Sequence, residues 1–293
     1  MTSKLGITID DFMQILPRIC DKETTQEPHG WSPENPLWGH CAVVSIVAQN
    51  LFGGTILRAS LKPYPKFSGA ASHYWNLLES GEEKDFTAVQ FGNDYPEGME
   101  GEERTRSYIL SHSETVERYK LLAFRLAKAV TQNPLFENDI YRLCFMKALE
   151  SECRKMWFGC AITHEDNTLA VTANKSIEPL KHICEPTCVR SQMQPQGEAA
   201  LGACVHAEEW ALWEMTKRFF PTSECDLWIA GVNTNGMPWF KEEAVYTCLH
   251  CAPRMFLANF RTIHVPVGNR WEGMSPEEAV RTASEYALKQ KSA

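Results

Sequence analysis

Apolar positions recur along the chain either at helical spacing or in short extended runs, and the two kinds of segment alternate. In the first part, 42–51 is an apolar segment of helix length that opens directly after Trp38-Gly39-His40-Cys41. Gly53-Gly54 ends it, and TILRAS (55–60) follows as a short strand. The runs 72–78 and 84–87 flank Ser80-Gly81, a hairpin pattern. The stretch 92–103 mixes glycines with acidic residues, has no period and reads as a loop. Beyond it, 114–130 regains helical spacing with Ser113 as N-cap. A boundary is therefore expected near residue 112, dividing the chain into 1–112 and 113–293. The second part predicts a helix over 139–155, strands over 157–163 and 168–172, and a helix beginning near Cys204. A strand over 227–232, one ending at Tyr246-Thr247, a helix over 252–259 and a strand over 263–267 follow. Alternation of this kind belongs to a layered α/β domain.

Composition narrows the classes. The chain has 293 residues, 44% hydrophobic and 23% charged, ordinary for a globular protein of two domains. Its net charge is −8, opposite to the basic footprint of a nucleic-acid binder, so no nucleic-acid partner is expected. Up to His112 there are 9 basic and 15 acidic residues, so most of that charge lies in the first part. No apolar run approaches the ~20 residues of a membrane span, and MTSKLGITIDDFMQ lacks the apolar core of a secretory leader. No membrane association is expected. The eleven cysteines then have to be explained in a reducing, cytoplasmic setting, where they pack, bind metal or react.

Two short motifs carry metal chemistry. His206-Ala207-Glu208 opens an apolar helix, and Cys248-Leu249-His250-Cys251 opens another about forty residues on. One imidazole and two thiolates give Zn²⁺ three protein ligands and leave the fourth position to water, as in catalytic sites. Zinc lowers the pKa of such a water toward ~7. Glu208, two residues past the His, is placed to carry protons between that water and a departing amine. H-x-E combined with C-x-x-C is the signature of zinc deaminases.

From about 138 to 275 the chain resembles the cytidine and deoxycytidylate deaminase superfamily. The likeness extends through Gly197…Cys204-Val205-His206-Ala207-Glu208, the strand end Ala173-Asn174, and Cys251-Ala252-Pro253-Arg254 followed by Ile263-His264-Val265. The resemblance implies a three-layer α/β/α fold, His206, Cys248 and Cys251 as zinc ligands, and Glu208 as the proton carrier. It also implies Asn174 as a substrate contact, a small-molecule substrate and self-assembly into a homo-oligomer. Thr247 stands where the family usually has Pro, and Trp210 where it often has Asn, so the large indole argues for a substrate other than an ordinary pyrimidine nucleotide. His182, Cys184, Cys188 and Cys204 form a candidate second metal set, the alternative being simple packing of buried thiols. Cys144, Cys153 and Cys160 read as core.

The first part offers a different chemistry. Cys41 stands at a helix N-terminus, where the macrodipole and free amides favour the reactive thiolate. His73 lies on a later strand and Asp85 on the next, the Cys-His-Asp order of papain-like and transglutaminase-like enzymes in an α+β domain. Residues 38–91 also resemble a family of small uncharacterised bacterial proteins in Cys41, Gly53-Gly54, His73-Tyr74-Trp75-Asn76 and Asp85-Phe86-Thr87. An active set would hydrolyse or transfer an acyl or amide group. The main reading is thus a zinc deaminase of a nucleobase, nucleoside, nucleotide or related amino-heterocycle, fused to this cysteine domain. The alternatives are a main activity at Cys41, or a first part that only binds or oligomerises.

Overall fold

The computed structural model describes residues 6–67, 69–185, 187–189, 204–240 and 247–291. The chain divides into two compact units, 1–131 and 132–293. In the first, α1 (Ile9–Ile19) precedes α2 (Cys41–Phe52), and β1 (Thr55–Ser60), β2 (Ser72–Leu77), β3 (Glu83–Lys84) and β4 (Glu102–Arg104) form an antiparallel sheet in the order β3-β2-β1-β4. A short α3 (Arg106–Ile109) and the long α4 (Ser113–Thr131) complete it. The end of the acidic stretch at 92–103 is thus not loop: Glu102 and Glu103 pair with β1.

The boundary expected near residue 112 lies at 131 instead. α4 buries Tyr119, Leu122 and Leu126, and its polar atoms also face inward to this unit. Tyr119 Oη accepts from Asn50 Nδ2 on α2 at 3.0 Å, and Arg125 donates to the Ile19 carbonyl at 3.2 Å. A helix that buries one face against α1 and α2 belongs with them, whatever acidic loop precedes it. The hairpin register then sets the first unit's chemistry. Residues alternate across a strand, so His73 and Trp75 share a face of β2, while Asn76 on the other reaches the Ser45 carbonyl of α2 at 2.9 Å.

The second unit is α/β. α5 (Asp139–Ala148) leads into β5 (Trp157–His164) and β6 (Asn167–Ala173), then the short β7 (Lys175–Ser176) and β8 (Cys204–Val205). α6 (Ala207–Thr216), β9 (Asp226–Val232), β10 (Pro238–Trp239), α7 (Ala252–Leu257), β11 (Thr262–Val267), β12 (Arg270–Met274) and α8 (Pro276–Lys291) follow. The main sheet runs β12-β11-β9-β5-β6 with β10 beside β9, and only β9 and β11 are parallel. β5 shows why helices cover both faces. Cys160 and Ile162 join one apolar cluster with Ala207, Ala211 and Met215 of α6 and Met255 of α7. Gly159 points the other way, against α5, where a Cβ would fall 1.9 Å from the Cys144 carbonyl oxygen.

Two expected helices are shorter than their patterns. The one over 139–155 ends at Ala148, because Ser151 Oγ donates to the Asn174 carbonyl at 2.7 Å and Trp157 Nε1 to the Cys153 carbonyl at 2.8 Å. The long-range bond from Ser151 and the local one from Trp157 fix 149–156 as a connection. The helix expected from Cys204 starts at Ala207, since Cys204 and Val205 pair with Ser176 and Lys175. Tyr246, expected to end a strand, lies outside the described residues, as does Gly197. Among the described residues no helix is long and apolar enough to cross a membrane.

Candidate functional site

In the second unit, β8 delivers His206 to the start of α6, and Cys248 and Cys251 lie at the start of α7. His206 Nδ1 stands 3.3 Å from Cys248 Sγ and 3.2 Å from Cys251 Sγ, and the three ligand atoms lie within 4.8 Å of one another. A tetrahedral ion with Zn–N of about 2.0–2.1 Å and Zn–S of about 2.3 Å asks for N···S separations of roughly 3.5 Å, so the set fits zinc. The hydrogen bond with Cys251, and then that with His206, hold the Cys248 thiol far below its ordinary range, while the same bond to Cys248 pushes Cys251 up. Glu208 is buried beside this set. Burial, and then the neighbouring Cys248, push its carboxyl up to about 7.

Glu209, which the sequence reading passed over, holds the two helix starts together. Its Oε2 accepts from the His206 backbone N–H at 3.1 Å, while Oε1 meets His250 Nε2 at 2.9 Å and Arg254 Nε at 3.1 Å. A Glu three residues into a helix is the familiar signal for such a cap, and the His at the cap position obscured it. Asn174, implied by the resemblance as a substrate contact, also has a structural part. Its Oδ1 accepts from Phe158 N at 2.7 Å and its Nδ2 donates to the Met156 carbonyl at 3.0 Å, so the side chain latches the strand ends. Trp210 lies under the Lys175 ammonium, 4.3 Å from the ring centroid.

The expected second set is not gathered as written. Among the described residues, His182, Cys184, Cys188 and Cys204 do not gather as a group of three that could hold a metal ion. Instead the Cys204 thiol is hydrogen-bonded by Cys153 and Cys184, which push its proton affinity up. Cys153, read from sequence as core, is only half-buried and belongs with these thiols. Cys144 and Cys160 are fully buried, as expected of core.

In the first unit the structure brings Cys41, His73 and Asp85 together. Cys41 is the first residue of α2, whose N-terminus no side chain caps. His73 is 1% exposed, and its Nε2 lies 2.7 Å from Asp85 Oδ2. With Nε2 so engaged, the ring's other nitrogen lies 3.5 Å from Gln90 Nε2, and the Cys41 thiol is within hydrogen-bonding reach of the ring. Burial alone would lower the His73 pKa. The hydrogen bond to Asp85, then the hydrogen bond and charge of Cys41, outweigh it and raise it to about 9.

The surroundings fix that geometry. Asp85 Oδ1 accepts from Thr87 N at 2.9 Å and Thr87 Oγ1 at 3.0 Å, which explains the spacing of Asp85 and Thr87. The His73 ring stacks on Trp75 and meets the edge of Phe91 at centroid distances of 5.9 and 4.8 Å. Gln90, also missed from sequence, donates to the Thr87 carbonyl at 3.0 Å and accepts from Gly39 N at 3.3 Å, tying the Asp85 turn to the approach of Cys41. A protonated imidazole beside a sulfur at a helix N-terminus is the setting in which thiols act as nucleophiles.

Comparison with protein families separates the same two parts. Residues 8–131 match the model of the YunG protein family, and residues 136–267 match that of the cytidine and deoxycytidylate deaminase zinc-binding region. No curated protein and no solved structure matches the chain. Zinc is the metal of the second of these models, and the His206, Cys248 and Cys251 donor set suits it. The chain thus joins a part similar to the YunG protein to a zinc-dependent part similar to the cytidine and deoxycytidylate deaminases.

Proposed function

We propose that the second unit hydrolytically removes an exocyclic amine from a small amino-heterocycle: a nucleobase, nucleoside, nucleotide or related compound. The buried Glu208 carboxyl beside the His206, Cys248 and Cys251 donor set carries this reading. Zinc there supplies an acidified water. Glu208 takes a proton from that water, passes it to the ring nitrogen next to the carbon under attack, and carries the second proton to the amine, which leaves as ammonia. Burial suits the carboxyl to both directions of transfer near neutral pH. An ammonia-release screen over cytosine, adenine, guanine and pteridine compounds, on protein of measured zinc content, tests this. Zinc-loaded protein that releases ammonia from none of these classes contradicts it.

The first unit supports a second activity, carried by the Cys41, His73 and Asp85 arrangement. In this reading Cys41 Sγ bonds to an acyl carbon, the carbon–nitrogen bond breaks, and the His73 proton goes to the departing amine. Water then cleaves the thioester and returns the thiol and the ring proton. Cys41→Ser is expected to abolish acyl or amide turnover while leaving zinc content and ammonia release unchanged. An inert Cys41 in an alkylation assay would instead favour a binding or oligomerisation role.

A further inference from the structure

The approach to Cys41 contains a cation with no ion-pair partner among the described residues. Arg118, on α4, donates through Nη2 to Gln26 Oε1 and to Thr115 Oγ1, the latter at 3.0 Å. Gln26 in turn donates its backbone N–H to the Gly39 carbonyl at 2.9 Å, two residues before Cys41. Gly39 itself has φ of +73°, and a Cβ there would fall 2.4 Å from Thr25 Oγ1. This segment is therefore pressed against 25–27, and the guanidinium is held to the same place. The other guanidinium nitrogen, Nη1, is buried and has no hydrogen-bond partner among the described residues. No carboxylate lies within ion-pair distance of Arg118 among those residues; Glu114 and Cys41 act on it only through their charge.

Buried N–H groups of a charged side chain are costly to leave unmade, so an orphan of this kind beside a reactive group asks for a ligand. Other features converge on the same point. The first amides of α2 are uncapped, adding partial positive charge where Cys41 begins the helix. His40, next to Cys41, is fully buried and bonded to Thr24 Oγ1 at 2.9 Å and to the Trp38 carbonyl at 3.0 Å, so it does not meet the guanidinium's need. An unbonded guanidinium nitrogen with a helix N-terminus behind it suits an anion of single charge such as a carboxylate.

We infer that the Cys41 site takes acyl or amide substrates bearing a carboxylate near the carbon under attack, and that Arg118 Nη1 binds that carboxylate. Arg118 is then a substrate-binding residue, while Cys41, His73 and Asp85 perform the chemistry. The inference rests on the reading of Cys41 as a nucleophile, and one experiment separates the two. Zinc-loaded, full-length protein is alkylated at neutral pH with iodoacetate and, separately, with iodoacetamide. Modification at Cys41 is followed by mass spectrometry of its peptide. In each reaction the sulfur bonds to the methylene carbon and iodide leaves, so the reagents differ in the carboxylate alone.

The expected result is that the iodoacetate-to-iodoacetamide rate ratio at Cys41 is at least tenfold higher in the unsubstituted protein than in Arg118→Gln. Arg118→Lys, which keeps the charge without the fork, should fall between. Equal ratios in all three, with Cys41 reactive, overturn the carboxylate site and leave the nucleophile standing. A Cys41 inert to both reagents overturns the nucleophile and the carboxylate site with it. Should the variants fail to fold, competition in the unsubstituted protein decides. Acetate, but not acetamide, is expected to protect Cys41 from iodoacetamide, and equal protection by the two contradicts the inference.

Discussion

Replacing Asp85 by Asn tests the electrostatics of the first unit most sharply. The His73 pKa stands at about 9, against an ordinary 6.5, although burial works to lower it. The difference of about 2.5 corresponds to roughly 3 kcal/mol in favour of the charged ring, at about 1.4 kcal/mol per pKa unit. Because the folded value is the higher one, this contribution is fully present below pH 6.5 and is lost as pH rises through 9. Asparagine keeps the shape and removes the charge. The buried ring should then titrate near or below its ordinary value, since burial opposes the proton and only Cys41 still favours it.

Two readouts follow. In selectively labelled protein, the His73 ring signals should show a midpoint near 9 that falls by two or more units in Asp85→Asn. The melting temperature of the first unit should exceed that of the variant by roughly 10 °C more at pH 6 than at pH 10, from about 3 kcal/mol over a unit of this size. Comparing the two proteins at each pH cancels the titration of other groups. A His73 midpoint unchanged by the substitution, or a melting difference independent of pH, would refute the ion pair as the source of the shift.

Other consequences concern the second unit. Gly159→Ala sets a methyl against the Cys144 carbonyl, which backbone cannot easily yield, and should cost about 3 kcal/mol, read as a fall of roughly 10 °C in the second melting transition. Glu209→Ala breaks the link between the two helix starts and should weaken zinc binding about tenfold or more in a chelator competition, with the fold retained by circular dichroism. Asn174→Ala removes two bonds to the backbone at 156 and 158 and should lower stability by about 2 kcal/mol in a denaturant titration, rather than change substrate affinity alone.

Much of this was legible in the sequence because it depended on local pattern. TILRAS is β1 without adjustment, and the apolar run after Cys41 is α2. The zinc set was legible because H-x-E and C-x-x-C constrain chemistry at short spacing. What the sequence hid was decided by distant partners. The connection after Ala148 looks helical, yet Ser151 binds the carbonyl of Asn174, 23 residues on. The helix α4 looks like the start of a second domain until its buried face is seen on α1 and α2. Gln90 and Arg118 carry no motif, and only folding sets them against the segment that leads to Cys41. The thiol of Cys153 joins Cys204 across about fifty residues of chain, a pairing that no spacing rule announces.

The central claim is that Glu208 moves protons at a zinc site that other residues hold. Zinc content and ammonia release, measured together on the unsubstituted protein and on Glu208→Ala with a substrate found in the screen, test it directly. Glu208→Ala is expected to keep the zinc bound by His206, Cys248 and Cys251 and to lose ammonia release. Turnover retained with that zinc in place would contradict it.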